Sequence, residues 1–437
     1  MLQRYLGNKT SLTGEIVRLV SELCPLGSHV CDAFAGSLAV SVALRRSGYR
    51  VSSNDINLLS WVYGVTYLAN TGLPEINFAD LIGSGKVRRD LAQQTRLDMG
   101  TEPPYDPDLC VDHSLVQDWK ILIATMFSNY GYREISTKDI RTDFFDHYCE
   151  AGPKSAFTSS RGSSGRRRFL STENAIALDR AMTRLRVWFR TGRISNRARC
   201  LLTSCLLDAV ERVSNIQGTY HDFPRNFYDP RALKPISAIL PELKDIVTGP
   251  AAEVIGKGRD SLDFVGEIPA HSVLYLDPPY NFRQYTAYYF LPNLIAAYPE
   301  IEDLDSYFSN IKYVRGQNME SDFSSTFCSA TGFLPSLERL IRNADCEHVI
   351  LSYFNGKNHW HDFKSGTDDQ GRERLEAFFS GDLFESDSVQ FFPVDRLNYQ
   401  SYGGHKALQL TEYLFVAKKK RNIEHKNGKE ESTYAVV

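Results

Sequence analysis

HVCDAFAGSLAVSVALRRSGYRVSSND, residues 29–55, decides the fold. His29 to Phe34 reads as a short buried strand, with VCDAF framed by Gly27 and Gly36. Apolar runs of this length bounded by glycine are strand-like. Ser37 to Ser47 reads as a helix, and Gly48 is placed to end it, since glycine readily takes the left-handed conformation past a helix. Tyr49 to Ser53 is a second strand, followed by the acidic Asp55. Strand, glycine turn, helix, strand and acidic residue is how a doubly wound parallel sheet begins. Upstream, Ser11 to Leu23 carries Leu12, Ile16, Leu19, Val20 and Leu23 at helical spacing.

Beyond Trp61 the pattern changes. Helical stretches dominate to Pro250, among them Leu115 to Phe127, Glu173 to Arg190 and Cys200 to Val213, separated by loops such as SSRGSSGRRRF (Ser159 to Phe169). Strand signals return at Glu253 to Gly256, Ser272 to Leu276, His348 to Ser352 and Tyr413 to Ala417. The expected organisation is therefore an α/β sheet opened by a helical insert. Residues 1–61 and 251–418 form the sheet domain, 62–250 the insert, and 419–437 a charged, aperiodic, disordered tail.

A chain of 437 residues suits two domains, or one with a large insertion. No stretch has the length of a membrane span and no basic-then-apolar leader opens the chain, so a cytoplasmic protein without membrane association is expected. The eight cysteines form no CxxC pair and no histidine cluster accompanies them, which reads as reduced thiols without a metal site. The net charge of −3 hides a segregation: Ala151 to Cys200 holds twelve Lys or Arg and two acids. Such a basic segment can serve phosphates while the rest of the chain stays acidic.

The sharpest chemical signal is SVLYLDPPYN, Ser272 to Asn281. A hydrophobic strand ends at Asp277, and Pro278 and Pro279 keep the following backbone stiff and without N–H donors. Tyr280 then stands past the carboxyl end of the strand, where open α/β sheets bind ligands.

DPPY resembles the catalytic motif of amino-group DNA methyltransferases, and other segments resemble the Dam-like class in that class's order. These are RYLGNK (Arg4 to Lys9), DAFAGS (Asp32 to Ser37), NDIN (Asn54 to Asn57), RDSLDF (Arg259 to Phe264), NFRQYTAYYF after DPPY, ILSYFNG (Ile350 to Gly356) and TEYLFVAKK. The resemblance covers most of the chain and implies a Rossmann-like class I methyltransferase with an inserted DNA-recognition domain. It implies S-adenosylmethionine as cofactor, bound by Tyr5, Lys9, Asp32, Phe34, Gly36, Ser37, Asp55, Ile56, Asp260, Ser261 and Asp277. Within that set Asp32 would stand near the ammonium, Asp55 would accept the ribose hydroxyls, and Asp260 would accept the amino group of the cofactor's adenine. Leu38 departs from the pattern, standing where the family has a second glycine.

The implied reaction is methylation of the exocyclic amino group of adenine, with Asp277, Pro278, Pro279 and Tyr280 as the catalytic segment. The amino nitrogen is a poor nucleophile because its lone pair is delocalised into the ring. Asp277 and the Pro278 carbonyl can accept its two hydrogens and aim the lone pair at the methyl group, which is positioning with electrostatic complementarity. Tyr280 would stack on the base, which must leave the duplex to be reached. Arg161, Arg166, Arg167, Arg168, the helix Arg180 to Arg193, and Arg283 are expected to meet phosphates, with Asn129, Tyr130 and Arg133 suited to bases. The expected partner is double-stranded DNA, methylated by a monomeric or dimeric enzyme that acts either beside a separate restriction endonuclease or alone as a regulator or protective modifier. Two readings compete: methylation of RNA or of a cytosine amino group on the same scaffold, and a catalytically inactive DNA-binding relative.

Overall fold

Alternation along the strands sorts the core into two layers, as a period of two requires. Val30, Val51, Val273, Tyr275, Ile350, Leu414 and Val416 pack against helices α1 (Thr13–Leu23) and α2 (Ala39–Arg46). Cys31, Ala33, Leu274, Leu276, Val349, Leu351 and Phe415 pack on the opposite face. There they meet helices Ser261–Phe264, Phe333–Asn343 and Asp369–Phe379. The structure is a computed structural model that describes residues 5–69, 72–82, 89–90, 93, 113–128, 135–311, 313–318, 322–355, 358–360, 369–397 and 409–421.

The strands are β1 (His29–Asp32), β2 (Arg50–Ser53), β3 (Ala156–Thr158), β4 (Ser164–Arg166), β5 (Val254–Ile255), β6 (His271–Leu276), β7 (Cys346–Asn355), β8 (Gln390–Leu397) and β9 (Gln409–Lys418). Seven of them form one sheet in the order β5-β2-β1-β6-β7-β9-β8, while β3 and β4 make a separate hairpin. β5, β2, β1, β6 and β7 run parallel, and β9 and β8 are antiparallel additions at one edge. The doubly wound mixed sheet expected from residues 29–55 is therefore present. β8 and the β3–β4 hairpin have no counterpart in the sequence reading. Among the described residues no helix is long and apolar enough to cross a membrane.

The long helices Thr172–Arg190 and Asn196–Val213 share one apolar cluster with helix α3 (Leu58–Gly64) and with Phe290–Ala297 from after the DPPY segment. Arg45 of α2 ties down the chain near both ends of the inserted stretch. Its buried guanidinium donates to the carbonyls of Tyr67 and Pro250 at 2.7 Å and of Ile246 at 2.8 Å. Gly249 allows this approach, since a Cβ there would sit 2.2 Å from the Arg45 carbonyl oxygen. Lys419, the first residue of the expected tail, is buried and donates to the carbonyls of Arg342 and Ala344, so the ordered edge runs past Lys418. The rest of that tail, from residue 422, lies outside the described residues.

Leu38 adopts the left-handed conformation that glycine usually takes. With φ of 65° it is the one non-glycine residue at positive φ among the described residues, and it forms the N-cap position of α2. Its side chain is fully buried in the cluster shared with α3. The left-handed backbone costs about 1–2 kcal/mol, whereas emptying a buried leucine site costs about 2–5 kcal/mol. Leu38→Gly is thus expected to destabilise the protein by up to about 4 kcal/mol despite relieving the strain. Urea unfolding checks this, and a stabilised variant would show that the backbone term wins.

Candidate active site

Parallel pairing lines up the ends of the central strands. Asp32 closes β1, opposite Ser53 of β2 on one side and Tyr275 of β6 on the other. Asp55 follows two residues after β2, and Asp277 directly after β6. These carboxylates, with Asp260, line one cavity of about 880 Å³, its open mouth included. Tyr5, Lys9, Phe34, Gly36, Ser37, Ile56, Ser261, Pro279 and Tyr280 line it too. Every residue expected to hold a cofactor thus borders one space. Pro278 is buried beside it.

Asp32 is 1% exposed; Ser41 Oγ donates to its Oδ2 at 2.6 Å, and among the described residues Oδ1 has no hydrogen-bond partner. Burial, reinforced by nearby Asp277 and Asp55 and only partly offset by the Ser41 hydrogen bond, pushes the Asp32 carboxyl up to about 7. Asp55 accepts from the Gly36 N–H through Oδ2 and from the Asn57 N–H through Oδ1, both at 2.8 Å. Burial raises its pKa, and these hydrogen bonds work against the rise. Gly36 must lack a Cβ, because one would lie 2.8 Å from the ring of Tyr5, which itself stacks on Tyr289 with centroids 4.4 Å apart. Asp260 is the N-cap of the helix Ser261–Phe264, its Oδ1 accepting from the Leu262 N–H at 3.0 Å. The cap and a ligand role are compatible, since the carboxylate has a second oxygen. The Ser261 hydroxyl donates to the Ala33 carbonyl at 2.7 Å, which ties this segment to the turn after β1.

Lys9 stands between two carboxylates. Its Nζ lies 3.0 Å from Asp277 Oδ1 and 2.6 Å from Glu412 Oε1. Burial by itself works to lower the ammonium's pKa, but Asp277 and Glu412 hold it above its ordinary value. Ser352 also donates to Glu412 Oε1, at 2.8 Å. Tyr280, past the end of β6, is largely buried at the cavity wall; its ring packs at 34° on Phe354, centroids 5.2 Å apart. Lys9 Nζ lies 5.8 Å from the Tyr280 ring centre.

The basic insert is where expectation and structure part. Arg167 is buried, donating to the carbonyls of Tyr313, Val314, His147 and Lys154, and so has no face for a phosphate. Arg168 pairs with Glu150 and the Arg225 carbonyl, and Arg166 with the Glu150 and Gly152 carbonyls. On the helix Thr172–Arg190, Arg184 donates to the carbonyls of Thr125 and Met126, and Arg186 to those of Tyr298, Ile301 and Glu302. Much of the basic segment therefore knits loops together. Arg161 is exposed in the turn of the β3–β4 hairpin, and Arg283 is exposed just past DPPY. Asn129, Tyr130 and Arg133 lie outside the described residues.

Several cavity residues escaped the sequence reading. Gln284, Tyr285 and Thr286 sit in NFRQYTAYYF, a stretch noted there only as a continuation of the motif, and Phe323, Ser325, Phe327 and Cys328 come from a loop without periodicity. Asn57, inside NDIN, donates through Nδ2 to Asp55 at 2.9 Å and to the Tyr5 hydroxyl at 3.2 Å.

The sequence is similar to known methyltransferases. The chain is 26% identical over 421 residues to the Type II methyltransferase M.NlaIII of Neisseria lactamica, covering 95% of this chain and 99% of that protein. It is 27% identical over 354 residues to the modification methylase LlaI of Lactococcus lactis subsp. lactis, and 24% over 356 residues to the modification methylase StsI of Streptococcus sanguinis. Each of these matches takes in 80% of this chain but only 46% and 44% of those longer proteins. The D12 class N6 adenine-specific DNA methyltransferase family model matches residues 5–95 and 146–330, together more than half of the chain. With DPPY at the end of β6 and the acidic residues of the neighbouring strands around one cavity, this chain belongs to the D12 class of N6 adenine-specific DNA methyltransferases.

Proposed function

We propose that the chain moves a methyl group from S-adenosylmethionine to the exocyclic amino group of an adenine flipped out of duplex DNA, at a specific site, as the protective partner of a separate restriction endonuclease. One observation carries this reading: Asp32, Asp55 and Asp260 border the same cavity as Asp277, Pro279 and Tyr280. The residues fit the cofactor. Asp32 offers a buried acceptor, Oδ1, with no partner among the described residues, which suits an ammonium. Asp55 keeps lone pairs for ribose hydroxyls beyond the bonds it accepts, and Asp260 keeps its second oxygen for an amino group.

Bound S-adenosylmethionine supplies an electrophilic methyl group on a sulfonium, so no enzyme-bound intermediate is required. The protein's part is to place the nucleophile. Asp277 and the Pro278 carbonyl accept the two amino hydrogens, which favours a pyramidal nitrogen with its lone pair directed outward. Tyr280 holds the ring by stacking, a contact worth about 1–3 kcal/mol. The names of the relatives, a Type II methyltransferase and modification methylases, support the pairing with restriction. Label from S-adenosylmethionine should pass to duplex DNA and not to RNA of the same sequence; label in RNA alone would contradict the reading.

Cofactor affinity should depend on pH through Asp32. Its carboxyl, pushed up to about 7, must ionise to meet an ammonium. Affinity should therefore rise with pH up to about 7 and be roughly tenfold weaker at pH 6 than on the plateau. An α-amino group loses its proton near 8, so the profile should turn down above that. Without ligand the sign reverses. The folded state holds a proton on Asp32 that the unfolded state has released, so this residue's contribution to stability falls as pH rises from about 4 to 7. Calorimetric titration from pH 5.5 to 8.5 reads the first effect, and a flat profile would remove Asp32 from the ammonium site.

A further inference from the structure

Asp277 can accept from the amino group of adenine, but cytosine carries a comparable amino group. A carboxylate at this position does not by itself choose between them. Guanine presents a carbonyl oxygen at the equivalent place, which a carboxylate refuses. What separates adenine from cytosine is the acceptor N7, and reading it takes a fixed donor beside Asp277.

Gln284 offers a donor on the wall of the cavity that Asp277 and Tyr280 line. Its Oε1 accepts from the backbone N–H of Ser325 at 2.9 Å. An N–H donor requires the oxygen of the amide there, so the orientation of the side chain is decided and the NH2 end points away from Ser325. Among the described residues that NH2 group has no protein partner. The anchor is itself braced. Thr286 Oγ1 donates to the Phe323 carbonyl and accepts from its N–H, both at 3.2 Å, and Cys328 Sγ donates to the Arg283 carbonyl at 3.1 Å. Residues 323–328 are thus laced to residues 283–286, and the donor is held in place before any base arrives. Held donors discriminate better than mobile ones, because nothing has to be reorganised on binding.

We infer that Gln284 is a specificity-determining residue whose Nε2 donates to N7 of the target adenine while Asp277 accepts from its amino group. A single Asn or Gln reads adenine with one amide spanning the amino group and N7; here the two halves of that pattern come from two side chains. Cytosine then fails for want of N7, and guanine fails against Asp277. The inference rests on the reading of this cavity as the target-base site.

The test uses synthetic duplexes carrying the sequence that the enzyme methylates, with adenine or 7-deazaadenine at the target position. Single-turnover rates are measured for wild type, Gln284→Glu and Gln284→Leu. Gln284→Glu keeps an acceptor for the Ser325 N–H, so the brace survives while the donor is lost. Wild type should slow by at least about tenfold from adenine to 7-deazaadenine, as for a polar partner left unpaired. Both variants should be at least about tenfold slower than wild type on adenine; Gln284→Leu should treat the two bases within about twofold of each other, and Gln284→Glu, whose carboxylate repels N7, should show no preference for adenine. Where a variant is too slow to time, its relative affinity for the two duplexes gives the same comparison. A wild type indifferent to the loss of N7, or variants that keep the full difference, overturns the inference. A wild type that methylates no adenine at all defeats the functional reading instead, which keeps the two failures apart.

Discussion

Asp277→Ala should lower methyl transfer to DNA by a factor of about 10²–10³ or more, the loss seen when a group that stabilises developing charge is removed. The adenine amino nitrogen attacks only when its lone pair is drawn out of conjugation. Asp277 is the side chain at the end of β6 that can accept its hydrogen, and no other residue of DPPY carries a carboxylate. The fold should survive the change. Lys9 keeps Glu412 at 2.6 Å, so no cation is stranded, and Asp32 and Asp55 keep their own hydrogen bonds. The expected signature is therefore a collapse of the single-turnover rate in a protein that still binds the cofactor, since Asp32, Asp55 and Asp260 remain in place. Equal turnover in the variant would contradict the mechanism.

Lys9→Met should act mainly on stability. Glu412 is fully buried on β9, and Lys9→Met removes the cation that pairs with it at 2.6 Å. Breaking a buried pair by removing one partner costs about 3–5 kcal/mol, because the other charge stays desolvated. Neutralising the survivor should return much of that loss, so Lys9→Met combined with Glu412→Gln should be more stable than Lys9→Met alone. Denaturant unfolding of the two singles and the double closes the cycle. Simple additivity of the two changes would show that the pair is not coupled. Activity should fall in both Lys9 variants, since Lys9 also holds Asp277 Oδ1 at 3.0 Å.

Much of this was legible in the sequence, for a physical reason. The parallel strands are short apolar runs closed by glycine or proline, and their ends carry the chemistry, so periodicity and motif point to the same places. Asp32, Asp55, Asp260 and Asp277 converge because β5, β2, β1 and β6 are parallel neighbours. Contacts made across the fold were not legible. Glu412 lies 403 residues from Lys9, inside an apolar strand that gives no hint of a buried carboxylate's partner. The strand β8, QFFPVDRL, breaks its pattern with a proline, as edge strands can. The arginines of the insert misled for a different reason. Composition counts charges but does not see the backbone carbonyls that Arg167, Arg184 and Arg186 satisfy. Leu38 ran the other way: a residue that argued against a close cofactor turn keeps the left-handed geometry of that turn, with its buried side chain offsetting the strain.

The central claim is that Asp277, Pro278 and Tyr280 present the amino group of adenine to a methyl donor held by the neighbouring acidic residues. DNA methylated by the purified protein with labelled S-adenosylmethionine, then digested to nucleosides and resolved by chromatography, tests it most directly. The account predicts all of the label in N6-methyladenine. Label in a methylated cytosine alone would contradict it.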